Sequence, residues 1–308
     1  VDSDFTHSIS YTYNTLTYFE GMHQTLTELI SYIDNKGRGF ELIISGETMD
    51  LYDDTSILGS IDGILITSLI WDDVDSESPS KDANLAKIES FTSNYTYDVF
   101  AVDYSTEIGN LETSRSTFPT YEIVGFNRFL SALNMADLSV LSAPYLENPN
   151  NIATLSDVQN FIFLDQPIDN MVTQLQNLTH DLIIMTPFSS YPINSLGDIY
   201  SSSDIISLQT KPNGTLGTEK RLVYAYLDIG LAIKSSYYWD ISWVDANSYP
   251  DWIIDGYDSS ITDYIIKYWS VDWKTILYAM VDAISENGYD GIVLGGTHHY
   301  KNFPIDGD

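Results

Sequence analysis

Short runs rich in β-branched and aromatic residues alternate along this chain with stretches whose apolar positions recur at three- and four-residue steps. The first kind predicts strands and the second amphipathic helices, and their alternation predicts a parallel α/β fold. Eight strands are expected, at residues 40–45, 63–68, 97–103, 138–143, 160–164, 181–186, 221–227 and 291–294. Helical stripes run through Leu16, Phe19, Met22, Leu26, Leu29 and Ile33, through Ile168, Met171, Val172, Leu175 and Leu178, and through Ile276, Leu277, Met280, Val281 and Ile284. Such stripes face a core, and Asn35-Lys36-Gly37 and Asn287-Gly288 supply stops for the helices before them. Eight strands with helices between them and one core fit a closed (β/α)8 barrel better than an open sheet.

Two further patterns bear on organisation. Ile61-Asp62-Gly63-Ile64-Leu65-Ile66 is echoed by Tyr289-Asp290-Gly291-Ile292-Val293-Leu294, each leading through Asp-Gly into a strand, a trace of internal repetition. The two Asp residues are expected to form turns rather than to bind ligands. Asn148-Pro149-Asn150-Asn151 reads as a linker between two pieces of four strands each, within a single barrel spanning 1–308.

Composition narrows the partners. An apolar content of 44% allows a sizeable core, and no run approaches the roughly 20 apolar residues of a bilayer crossing. With 13 Lys and Arg against 44 Asp and Glu the formal charge is −31. Such a surface repels phosphate backbones and anionic headgroups, so neither nucleic acid nor membrane insertion is expected. The chain has no cysteine, which removes disulfides, thiolate metal sites and cysteine nucleophiles. Val1-Asp2-Ser3-Asp4 has neither a basic start nor an apolar core, so an export signal is expected to have been removed or never to have been present. Three sequons, at Asn94, Asn177 and Asn213, together with 23 Tyr and few Lys, point to an extracellular or cell-surface protein. So many carboxylates repel one another less at low pH or high salt.

The segment Arg221-Leu222-Val223-Tyr224-Ala225-Tyr226-Leu227-Asp228-Ile229-Gly230 is followed by Tyr238-Trp239, Tyr249-Pro250-Asp251-Trp252, Tyr268-Trp269-Ser270-Val271-Asp272-Trp273 and Gly288-Tyr289-Asp290-Gly291-Ile292-Val293-Leu294. In this order the pieces resemble the endo-α-1,4-polygalactosaminidase family of glycoside hydrolases, which are TIM barrels. The resemblance implies that residues 152–296 correspond to the first four βα units of that barrel and residues 12–145 to its last four. The chain is therefore expected to be a circularly permuted barrel, a rearrangement tolerated where termini lie close together, or to share half-barrels between copies. Strand 291–294 should then pair with strand 40–45, and strand 138–143 with strand 160–164.

Glycoside hydrolysis takes two carboxyl groups about 5 to 9.5 Å apart, one protonating the leaving oxygen and one attacking or activating water. In a TIM barrel both belong at the C-terminal ends of strands. The resemblance implies an Asp and a Glu after the two Asp-Gly strands, and this chain has Gly295 and Thr67 there. Thr186, Leu231, Ile233 and Ser45 likewise stand where the family pattern carries acids. Neutral groups cannot deliver or receive the proton, so a degenerate, non-catalytic barrel is expected. Asp103, Asp228, Glu47 and Asp165 remain near the rim. Asp103 or Asp228 with Glu47 would be the substitute pair of an active hydrolase on an amino-sugar polysaccharide; the simpler reading has these acids capping helices or meeting solvent.

Five of the six Trp lie between Trp239 and Trp273. Trp239, Trp243, Trp252, Tyr238 and Tyr257 are candidates for stacking on pyranose rings, and the same residues would serve a satellite core or a subunit contact. His298 and His299 adjoin but point to opposite sides of an extended segment, poor geometry for one metal. No phosphate loop, nucleophile elbow or calcium loop occurs, so no metal and no cofactor are expected. The sequence thus leads to a glycosidase-like barrel outside the cell that assembles with itself, as a homo-oligomer or polymer, or holds a cell-surface polysaccharide.

Overall fold

A computed structural model describes residues 18–36, 39–45, 55–69, 81–94, 98–105, 126–132, 144, 147–212, 219–243, 249–254 and 263–302. In chain order the elements are α1 (Tyr18–Asp34), β1 (Glu41–Ser45), α2 (Thr55–Leu58), β2 (Gly63–Thr67), α3 (Lys81–Asn94), β3 (Asp98–Ser105), β4 (Phe126–Ala132) and β5 (Phe161–Leu164). They continue with α4 (Met171–Gln176), β6 (Leu182–Met185), α5 (Ser202–Leu208), β7 (Leu222–Asp228), β8 (Leu231–Ile233), β9 (Asp263–Ile265), α6 (Val271–Glu286) and β10 (Gly291–Gly295).

The helices bury the expected stripes. Met22, Leu26, Leu29 and Ile33 of α1 face the core, as do Leu277, Met280, Val281 and Ile284 of α6. Phe19 departs from its stripe, staying 36% exposed and meeting Tyr300 edge-on. Helix α6 stops where Gly288 takes φ +85°, a left-handed position that a side chain would strain. No described helix is long and apolar enough to cross a membrane.

Eight strands form one sheet in the order β4-β3-β2-β1-β10-β7-β6-β5, and every pairing is parallel. The end strands β4 and β5 lie side by side, so the sheet curls into a nearly closed barrel; among the described residues no ladder joins those two. β1 runs against β10 from Glu41↔Gly291 to Ile44↔Leu294, the pairing expected from the sequence, made within one chain. The expected strand at 138–143 lies outside the described residues, and the strand beside β3 is β4. A small antiparallel ribbon of β8 and β9 stands apart from the sheet.

Parallel register keeps paired residues on one face of a sheet. Ile43, Gly63, Phe100, Tyr224, Tyr226 and Gly291 belong to one such set through their ladders. Across it Phe100 meets Phe161 edge-on at 5.2 Å and Phe163 meets Tyr226 at 5.0 Å, so this set lines the barrel interior. Large rings need small neighbours there. A Cβ at Gly291 would sit 2.4 Å from the Glu41 carbonyl oxygen and 2.6 Å from the Tyr224 ring, and Glu41 accepts a hydrogen bond from the Tyr224 hydroxyl.

The two Asp-Gly steps act as turns of a specific kind. Asp62 Oδ2 accepts from the Leu42 N–H at 2.7 Å, and Asp290 Oδ2 from the Val223 N–H at 2.9 Å. Each acid thus ties the start of its strand to a neighbouring one. Asp181 repeats the device before β6, accepting from Gln159 N–H at 2.8 Å, and its other oxygen pairs with the Lys211 ammonium, both side chains being fully buried. The segment expected as a linker lies between β4 and β5; within it Asn148 is buried, donates to Asp181 at 3.2 Å and accepts from Lys211 through its carbonyl. Asn148 is anchored because Asp181 takes one hydrogen bond from its side chain and Lys211 gives one to its carbonyl.

Candidate functional site

β5, β6 and β7 end on one side of the barrel, and a cavity of about 430 Å³ opens above them. Asp165 follows β5, Thr186 follows β6 and Asp228 ends β7, all three lining it. Tyr226, Tyr238 and Trp273 supply its aromatic wall, and Tyr191, Ser235 and Ser236 add hydroxyl groups. Among the described residues no Lys or Arg lines it. Apolar faces with a few convergent polar groups are the usual make-up of a small-molecule pocket.

The two carboxyl groups differ in setting. Asp165 is open to solvent by surface area yet sits in the concave mouth, where the surrounding protein raises its carboxyl above the usual range; repulsion from Asp228 raises it further, against one backbone N–H that lowers it. Asp228 is held from several sides. Its Oδ1 accepts from the Gly230 N–H at 2.8 Å and the Leu231 N–H at 3.1 Å, and its Oδ2 lies 3.6 Å from His299 Nε2. Around Asp165 water can still enter, whereas Asp228 is fixed by donors suited to a carboxylate.

Glycines make this arrangement possible. A Cβ at Gly295 would fall 2.2 Å from the Tyr226 hydroxyl oxygen, and one at Gly296 would fall 2.1 Å from Asp228 Oδ1. Tyr226 therefore occupies the space into which a side chain at 295 would extend, and Asp228 the space beside 296. Trp273 closes the floor: its indole N–H donates to the Ile229 carbonyl at 3.0 Å, and its ring packs on Tyr238 and Trp252 at 5.4 and 5.2 Å.

The residues singled out from sequence fall into different places. Asp228 is in the cavity. Asp103 is fully buried and on the other face, since Thr67 pairs with Val102, so Asp103 and Asp228 do not converge. Thr67 ends β2, away from the cavity, and Gly295 ends β10 beneath Tyr226. Of the aromatic candidates, Tyr238 lines the cavity, while Trp252 is 5% exposed and packs inside a cluster with Trp243 at 5.9 Å. Trp239 meets Tyr264, a residue of the ribbon, at 4.5 Å with the rings tilted by 37°. Glu47, Tyr257 and Asn213 lie outside the described residues, as does the side chain of Asn94; Asn177 is exposed at the end of α4. His298 and His299 have ring centroids 4.3 Å apart, and among the described residues no group of three or more His, Asp or Glu is placed to hold a metal ion.

Sequence reasoning missed Tyr226 and Trp273 as cavity residues. A signal for the first was available: Tyr224, Tyr226 and Asp228 alternate along one strand, so an acid at the strand's end shares a face with the rings. Trp273 carries no such signal, because its place depends on a helix crossing under the mouth.

No protein-family model matches the chain. Among curated proteins it is similar to an uncharacterized protein of Methanocaldococcus jannaschii, with 26% identity over 190 residues, covering 60% of this chain and 51% of the relative. It is also similar to an uncharacterized protein of Thermotoga maritima, with 27% identity over 141 residues, covering 46% of this chain and 42% of the relative. The chain thus spans about half the length of the curated relatives it matches.

Proposed function

We propose that this chain is a circularly permuted (β/α)8 barrel related to glycoside hydrolases, placed outside the cell or on its surface, that holds a polysaccharide in the cavity above β5, β6 and β7. The cavity carries the reading: Tyr226, Tyr238 and Trp273 stand beside Asp165, Asp228 and hydroxyl groups, a mixture suited to the C–H faces and hydroxyls of a pyranose. Permutation is supported by the β10–β1 ladder and by Tyr18, at the start of α1, whose carbonyl accepts from the Tyr268 hydroxyl at 2.5 Å and whose ring meets Trp269. An extracellular setting is supported by the formal charge of −31 and the exposed Asn177 sequon.

Charge selects among polysaccharides. Two carboxyl groups, with no Lys or Arg among the described residues of the wall, favour neutral or cationic amino-sugar chains over uronic acid polymers. Gly295 and Thr67 carry no titrating group, so the chemistry that the family resemblance implies is absent from those two positions. Self-assembly through the aromatic segment has less support, because Trp252, Tyr264, Tyr268 and Trp273 are buried within the chain.

Intrinsic tryptophan fluorescence tests the reading, since Trp273 lines the cavity. Titration with glucosamine or galactosamine oligomers should give a saturable change that Tyr226→Ala weakens about tenfold or more, while polygalacturonate gives none. A flat response to all of these oligomers would remove it.

A further inference from the structure

We propose that Lys211 and Asp181 condense into an intramolecular isopeptide bond, a covalent tie between the start of β6 and the segment that follows α5. Three features of the pair support this beyond its being an ion pair.

The first is seclusion. Lys211 Nζ contacts Asp181 Oδ1, and neither side chain has any solvent exposure. Two charges kept from water carry a desolvation cost that their attraction offsets only in part, and an amide carries neither charge. The same seclusion shields the finished amide from hydrolysis.

The second is alignment. Lys211 Nζ also donates to the Asn148 carbonyl, so the nitrogen is held between two acceptors. Both backbones are pinned as well. The Lys211 N–H donates to the Glu219 carbonyl at 2.9 Å, the Asp181 N–H donates to Asn160 Oδ1 at 2.9 Å, and the Asp181 carbonyl accepts from the Leu222 N–H at 3.0 Å. Reacting groups held in contact in this way reach effective concentrations of about 10⁵–10⁸ M.

The third is the setting of the other carboxyl oxygen. Asp181 Oδ2 accepts from the Gln159 N–H at 2.8 Å, from Asn148 Nδ2 at 3.2 Å and from Asn160 Nδ2 at 3.4 Å. These donors point at the atom on which negative charge builds when Cγ becomes tetrahedral, the arrangement that stabilises acyl transfer.

The step balances without a further reactant. One proton passes from the Lys211 ammonium to Asp181 Oδ1, and the freed nitrogen lone pair attacks Cγ, placing negative charge on Oδ2 beneath its three donors. A second proton moves from the nitrogen to Oδ1. The Cγ–Oδ1 bond then breaks with its electron pair on the oxygen, water leaves, and the charge on Oδ2 returns to form the amide carbonyl. One C–N bond forms, one C–O bond breaks, and nothing is oxidised or reduced.

The chain has no cysteine, and this bond would do the work of a disulfide. It closes a ring between residues 30 positions apart, at the base of the barrel opposite the cavity. Such a ring persists in the unfolded chain and restricts it.

The test is the intact mass of the whole chain, made in a bacterial host, kept folded overnight at neutral pH and then denatured in guanidinium chloride. Wild type should be lighter by one water than its sequence requires, and chymotryptic peptides carrying Asp181 and Lys211 should appear as one branched species. A succinimide at Asp62-Gly63 or Asp290-Gly291 also loses one water, but hydroxylamine opens a succinimide and leaves an isopeptide amide intact. Lys211→Arg keeps a positive charge without the amine nucleophile and should show its full sequence mass. Wild type at full sequence mass would overturn the proposal. So would a loss of water that hydroxylamine reverses or that persists in Lys211→Arg. The wild-type mass decides the matter even if the variant does not fold.

Discussion

At the scale of single residues, small side chains decide what the barrel can hold. Gly291 and Gly295 share the inner face with Tyr224 and Tyr226 of the neighbouring strand, and each ring fills space that a Cβ would need. Read from sequence, Gly295 is a missing acid. In the fold it is a seat for a tyrosine, and no count of acids could show that, since it depends on which strand lies alongside. Gly291→Ala is the sharper case, because the nearest atom, the Glu41 carbonyl oxygen at 2.4 Å, belongs to the backbone and cannot swing away. Overpacking of this kind costs about 1–3 kcal/mol. Urea unfolding should show that loss, and an unchanged midpoint would mean the β10–β1 approach is looser than described.

Among the elements, the most telling tie is made by one buried cation. Arg221, just before β7, donates from Nε to the Leu208 carbonyl at 2.5 Å, from Nη1 to Leu178 at 2.5 Å and from Nη2 to Leu175 at 3.0 Å. It thus closes the C-terminal ends of α4 and α5 onto the sheet, where helix carbonyls lack partners and favour positive charge. Burial lowers its pKa to about 10, with Asp181 opposing the fall, so it stays charged at neutral pH. Arg221→Leu should lower stability by about 3 kcal/mol or more, since three carbonyls lose a charged donor. Arg221→Lys should recover little of this, because an ammonium cannot span the same fork. Loss below about 1 kcal/mol in denaturant titration would sink the argument. Strands of this fold were legible where apolar runs are uninterrupted, as in Phe161–Leu164 and Leu182–Met185. β4 was not, because Asn127 and Arg128 break its apolar run, and the three-residue β8 and β9 are too short to carry a period. Asp228 and Asp165 were both legible as rim acids; that they line one cavity was not, because it depends on strand order.

Over the whole molecule, the closure that joins β10 to β1 also gathers acids at the other end of the barrel. Glu41 and Asp98 share the inner face there, with Asp62 and Asp290 leading into their neighbouring strands. Burial raises all four carboxyl groups, Asp98 to about 6, with repulsion from Glu41 adding to its rise. Glu41 is raised by burial and by Asp62 and Asp290, against the hydrogen bonds from Tyr224 and the Leu155 N–H. An acid whose folded pKa is raised binds its proton more tightly in the folded state than in the unfolded one. Its contribution to stability is therefore complete below about pH 4, the unfolded value, and is lost as pH rises through the folded value. Glu28 runs the other way: burial raises it, but hydrogen bonds from Lys274 and Gln24 outweigh this and lower it, so its contribution appears above about pH 4 and is lost on acidification. Between pH 4 and 6 the buried acids of the barrel end outnumber it, and the formal charge of −31 adds self-repulsion as carboxylates ionise. Thermal unfolding should thus occur at higher temperature at pH 5 than at pH 7. Salt separates the two causes, because added salt screens the surface charge but reaches a buried carboxyl far less. The part of the difference that persists in about 0.5 M salt should shrink in Asp98→Asn, whose amide fills the same space without titrating. A midpoint that is equal or higher at pH 7 in the wild-type protein would show that the acids under the barrel are better solvated than their place on the inner face implies.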